Sequence, residues 1–153
     1  MNDKQSIDPT CMRLRHYSES DYSKAKFNPI SDIPFRNKPG GGLWTSPVDS
    51  EHSWVDWCES VNFRACDKYY DVDFYGKLLT IDNERDLDLL PWIEHEGRHF
   101  VSFQALCALG FTYDAIHLTA KGERETRFSN PLSLYGWDCE TVLILNPNSM
   151  RCV

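Results

Sequence analysis

Residues 19–42 carry Pro29, Pro34 and Pro39 and close on Gly40-Gly41-Gly42, so neither a continuous helix nor an internal sheet strand can run through them. The chain has 153 residues, enough for one hydrophobic core and too few for two ordinary domains. The long break therefore divides one core between a short N-terminal piece and a longer remainder. Loops of this length inside a compact domain are commonly functional. On its near side Met12, Leu14 and His16 alternate with Arg13, Arg15 and Tyr17, the period of a strand over residues 11–18, and His16 shares its face with apolar neighbours. On its far side Leu43-Trp44-Thr45-Ser46 reads as a short strand closed by Pro47. A helix then follows, capped by Asp49 or Ser50, with Trp54, Trp57, Cys58 and Val61 on one apolar face.

Further along, residues 70–81 have strand character, interrupted at Gly76 by a turn or bulge, and Asp82-Asn83 cap a short acidic helix reaching about Ile93. Phe103, Leu106 and Cys107 form a third helical stripe, stopped by Gly110. Residues 113–119 and 140–145 read as strands, residues 120–136 as a polar loop between them, and residues 149–153 as a last strand. The expectation is one mixed α+β domain over residues 11–153, behind a loose polar lead-in of residues 1–10.

Composition narrows the function classes. Apolar residues make up 41 % of the chain and aromatics 13 %, enough to offset chain entropy and fold. No apolar run is long enough to cross a membrane, and no signal-peptide core follows Met1, so a cytoplasmic protein of the producing or a targeted cell is expected. Six cysteines are scattered without a Cys-x-x-Cys pair, the pattern of free thiols. His52, Cys58 and Cys66 fit no zinc spacing, and no metal is expected. The stretch Glu94-His95-Glu96-Gly97-Arg98-His99 lacks the His-Glu-x-x-His order and reads as solvated. A net charge of −7 without any basic run argues against a grip on nucleic acid and for a protein or small-molecule target.

Four segments taken together resemble the ADP-ribosyltransferase superfamily, in the histidine-type branch of diphtheria toxin and the poly(ADP-ribose) polymerases. Leu14-Arg15-His16-Tyr17-Ser18 is similar to the family's histidine-bearing first strand, with Tyr17 standing where the family has glycine. Gly41-Gly42-Leu43-Trp44-Thr45-Ser46-Pro47 resembles its glycine-led strand, and the next helix offers Trp54 or Trp57 as the aromatic that stacks on nicotinamide, a choice that spacing does not make. Tyr113-Asp114-Ala115-Ile116 is similar to the strand preceding the catalytic one, and Asp138-Cys139-Glu140-Thr141-Val142-Leu143 to the catalytic-glutamate strand itself.

The resemblance implies split mixed and antiparallel sheets around a central NAD cleft, with a few short helices. It also implies a mono-ADP-ribosyltransferase that uses NAD as substrate and passes ADP-ribose to a macromolecular, most naturally protein, acceptor. Cleaving the nicotinamide–ribose bond passes through an oxocarbenium-like state that a fixed carboxylate stabilises. That role falls to Glu140, with His16 on the ribose and Asp138, two residues before Glu140 and on the same face of an extended strand, orienting the acceptor. NAD contacts are implied for His16, Tyr17, Ser18, Trp44, Thr45, Ser46, Trp54 and Trp57. Residue by residue a plainer reading stands beside this one: His16 as a satisfied core histidine, both tryptophans as core, Asp138 as a turn residue. A non-catalytic NAD-binding or protein-interaction module on the same fold is the alternative function.

Overall fold

The computed structural model describes residues 9–64, 66–108 and 110–153. Residues 1–8 of the expected lead-in lie outside the described residues. Among the described residues the fold is α+β: a mixed seven-stranded sheet, a separate two-stranded hairpin and three short α-helices. The strands are β1 (Thr10–Tyr17), β2 (Leu43–Pro47), β3 (Tyr69–Gly76), β4 (Leu78–Ile81), β5 (Trp92–His95), β6 (Arg98–Val101), β7 (Ala115–Leu118), β8 (Thr141–Ile144) and β9 (Met150–Cys152). The helices are α1 (Trp54–Ser60), α2 (Phe103–Cys107) and α3 (Ala120–Thr126). None is long and apolar enough to cross a membrane. The large sheet runs β4-β7-β8-β2-β1-β3-β9, and only β4 with β7 pairs in parallel.

The interior strands read as apolar because both faces of the sheet are covered. All four residues of β8 are buried. Leu143 faces a core with Leu79, Ile81, Ile116, Leu118, Phe103 and Trp137, while Val142 and Ile144 face a second core with Leu14, Leu43, Val72 and Phe74. Each such side chain contributes about 1.5–3 kcal/mol by leaving water.

The sheet is nearly divided at its centre. β1 pairs with β3 along its whole length, from Thr10 opposite Gly76 to Tyr17 opposite Tyr69, yet with β2 only at Leu14 opposite Pro47 and Arg15 opposite Ser46. Beyond Arg15 the two strands part. Gly41 and Gly42 let the long loop return to β2, since both have positive φ and a side chain at Gly41 would lie 2.1 Å from the Pro29 carbonyl oxygen.

Several boundaries differ from expectation, each for a local reason. Thr10 belongs to β1 rather than to the lead-in, because it pairs with Gly76. The cap of α1 is Ser53, not Asp49 or Ser50: Ser53 and Asp56 form a reciprocal capping box. The acidic helix is a 3-10 turn, Glu84–Leu89, capped by Asn83, and Pro91 bars its continuation; Trp92 and Ile93 lie in β5. The solvated His95/His99 stretch is the β5–β6 hairpin, turned at Glu96-Gly97, both at positive φ. Residues 120–136 are not all loop, because Thr119 caps α3 by accepting from the Gly122 amide.

Candidate active site

Where β1 and β2 part, a cleft of about 470 Å³ opens, within the span of small-molecule sites. Its walls include Arg15, His16 and Tyr17 from β1, Trp44, Thr45 and Ser46 from β2, Trp54 from α1, and Trp137, Asp138, Cys139 and Thr141 from the approach to β8. His16 fills the gap between the strands: its Nδ1 lies 2.6 Å from the Trp44 carbonyl oxygen, and its ring meets Tyr70 at 5.2 Å between centroids. A carbonyl oxygen only accepts, so Nδ1 carries the proton and the Nε2 of the neutral ring is left as an acceptor.

The loop between β1 and β2 forms the cleft's cationic rim. Ser31 and Gly40 pair backbone to backbone and close residues 31–40 into a strap. Asp32 ties the strap to α2 by accepting from the Phe103 amide at 2.7 Å and the Ser102 hydroxyl at 3.0 Å. Asn37 accepts from the Val101 amide and donates to the Ser133 carbonyl, and the Trp137 indole donates to the Asn37 carbonyl. The strap thereby presents Ile33, Arg36, Lys38 and Pro39 to the cleft. Lys38 reaches Asp138 at 3.8 Å, and Arg36 is exposed with no ion pair among the described residues.

The predicted residues sort into three groups. His16, Tyr17, Trp44, Thr45, Ser46, Trp54 and Asp138 are brought together in the cleft. The hydroxyls of Thr45 and Ser46 are already committed, Thr45 to the Val142 carbonyl at 2.7 Å and Ser46 to the Glu140 carbonyl at 2.9 Å. Arg15 is engaged too, forked on Asp71 at 2.8 and 3.1 Å and stacked over Tyr69. Ser18 stands outside the lining; its hydroxyl accepts from the Ser20 amide. Trp57 stacks on Trp54 at 5.2 Å but faces a second cleft, of about 410 Å³, lined by Glu51, His52, Trp57, Ala120, Glu123, Arg124, Arg127 and Asp138. Of the two tryptophans, Trp54 is the one in the first cleft.

Glu140 lines neither cleft. Its carboxylate accepts from Ser50 Oγ at 2.5 Å and lies 2.8 Å from His117 Nε2, with both His117 and Glu140 side chains 13 % exposed. Burial opposes ionisation of this carboxyl, but the hydrogen bonds from His117 and Ser50 outweigh it and hold its pKa below the ordinary value. The expected shared face of Asp138 and Glu140 is corrected here. β8 begins only at Thr141, and the irregular backbone before it sends Asp138 to the clefts and Glu140 to His117. Asp138 is held at 3.2 Å by Arg127, which also reaches the buried Glu123 at 3.0 Å. Burial opposes the Arg127 charge, and these two carboxylates more than offset it.

His117, Ser50, Arg36, Lys38 and Arg127 were not foreseen. Residues 113–119 were expected as a strand, but nothing local announced a carboxylate partner for His117. Cys139, buried at the cleft wall, has its thiol pKa raised by that burial, so it stays a neutral wall group. Comparison with known protein families, with characterised proteins and with solved structures finds no match to this chain.

Proposed function

We propose that the protein is an NAD-dependent mono-ADP-ribosyltransferase that breaks the nicotinamide–ribose bond and passes ADP-ribose to a protein acceptor. The observation that carries this reading is the parted β1–β2 junction with His16 set in it, one ring nitrogen fixed on Trp44 and the other free to accept from a ribose hydroxyl. The surroundings support it. Indole rings at Trp44 and Trp54 suit flat nicotinamide and adenine rings, and Arg36 and Lys38 bring positive charge for a pyrophosphate to the rim of an otherwise acidic molecule. Asp138 is the carboxylate in the cleft, and in this reading it faces the positive charge that develops at the ribose C1′ as the bond to nicotinamide breaks.

One observation favours a second reading. The carboxylate that the family resemblance assigns to catalysis, Glu140, is engaged with His117 and Ser50, which suits a module that binds NAD without cleaving it. Nicotinamide release from NAD by the purified chain, with and without cell lysate, separates the two. The transferase gives lysate-dependent release that Asp138→Asn abolishes; saturable NAD binding with no release establishes the non-catalytic module. His16→Ala lowers NAD affinity in either case, by about five- to 150-fold for a lost hydrogen bond of about 1–3 kcal/mol. Unchanged affinity in that variant removes His16 from the site.

A further inference from the structure

We infer that the second cleft receives the acceptor, and that His52, backed by Glu123, is the base that takes the proton of an acceptor hydroxyl; the inference rests on the transferase reading above. The two clefts share a wall. Asp138 lines both, and of the stacked tryptophans Trp54 faces the first and Trp57 the second. A ribose C1′ held against Asp138 from one side is thus one side chain away from whatever enters the other, and the acceptor oxygen reaches it past Asp138.

Within the second cleft, His52 Nε2 lies 3.5 Å from Glu123 Oε2, and Glu123 is buried and fixed by Arg127. A buried carboxylate beside one imidazole nitrogen selects the tautomer protonated there, which leaves Nδ1 as the basic nitrogen. Nδ1 of His52 has no hydrogen-bond partner among the described residues, and the side chain is 31 % exposed. The backbone of His52 is fixed from both sides. Its carbonyl accepts from the Glu140 amide at 2.8 Å, and its amide donates to Ser50 Oγ at 3.0 Å, the same hydroxyl that donates to the Glu140 carboxylate. The partly buried network of Glu140, Ser50 and His117 therefore holds the His52 segment in place.

The lining selects the acceptor's chemistry. A carboxylate acceptor needs no base and meets a lining whose three carboxylates, Glu51, Glu123 and Asp138, outnumber its two guanidiniums, Arg124 and Arg127, the second already paired with Glu123 and Asp138. A guanidinium does not give up its proton to an imidazole. A phosphate-bearing acceptor meets the same carboxylates and a chain charge of −7. A neutral serine or threonine hydroxyl of a protein suits both the base and the field. Its oxygen bonds to C1′ as the C1′–N bond breaks, the electron pair leaves with neutral nicotinamide, and the hydroxyl proton passes to His52 Nδ1, where Glu123 balances the imidazolium.

The test uses NAD labelled in its adenylate phosphate, cell lysate, and the full chain as wild type, His52→Ala and His52→Gln, with NAD binding followed by tryptophan fluorescence. The expected label on lysate protein withstands neutral hydroxylamine and mercuric ion, as a glycosidic bond to a hydroxyl does. Both variants bind NAD within about twofold of wild type yet label about tenfold less or lower, and added imidazole restores part of the labelling by His52→Ala. Label released by hydroxylamine or mercuric ion, or undiminished labelling by both variants, overturns the base and leaves the transferase reading standing. NAD binding by wild type without any labelling overturns the transferase reading as well and leaves the non-catalytic module, and no NAD binding by wild type overturns both.

Discussion

A carboxylate that opens an apolar strand has to be paired, and Glu140 shows how completely the choice of partner depends on the rest of the chain. His117 lies on the neighbouring strand and Ser50 ahead of α1, so the pairing is set by β7, β8 and β2 lying side by side. Because the folded carboxyl has a lowered pKa, its contribution is fully present above the ordinary carboxyl range and is lost as pH falls through the depressed value. Glu140→Gln lacks this titration. The urea midpoint of wild type should therefore exceed that of Glu140→Gln near neutral pH, and the gap should close as pH falls through and below the ordinary carboxyl range. A gap independent of pH would mean that the carboxylate is not what the pair stabilises. The strand position of His16 was legible in advance, because two-residue alternation alone sets the face of a strand residue. The divergence of Asp138 and Glu140 was not, because that same rule was applied to three residues that are not in a strand.

Elements were legible where periodicity ran long enough. β1 lies where its pattern put it to within a residue; α1 forms at the expected place but starts at Trp54, behind Ser53, and ends before Val61, which is exposed, whereas α3 was hidden by Gly122 and by a polar sequence that reads as loop. Gly122 is required for packing. A Cβ there would lie 2.1 Å from the Ile81 carbonyl oxygen, a backbone atom at the end of β4 that cannot step aside. Gly122→Ala should cost about 3 kcal/mol and lower Tm by about 6–12 °C, measured by thermal unfolding. Since α3 carries Glu123 and is capped at its C-terminus by Arg127, the same change displaces the groups that hold His52 and Asp138, so acceptor labelling should fall further than NAD affinity. A variant as stable as wild type would show that α3 can lift from β4 without penalty.

At the level of the whole molecule, the class of fold followed from strand-like and helix-like periods, but the order of the strands did not. Nothing in the pattern of β2 says that its neighbours are β1 and β8, since both pairings join segments far apart in the chain. A ligand in the cleft touches β1, β2 and the approach to β8, and so links the two halves where they share only two residue pairs. NAD at about a hundred times its Kd should raise stability by about 2.7 kcal/mol and Tm by about 5–11 °C, read by calorimetry. No shift at saturation would mean that NAD does not select the folded cleft. The strand order also bears on synthesis. β2 is completed at Pro47, yet one of its two neighbours, β8, is not made until Ile144, and β3 waits for β9, which ends at Cys152. A chain still emerging from the ribosome therefore carries open strand edges until β8 and β9 have been made, and that interval is when it most needs a chaperone.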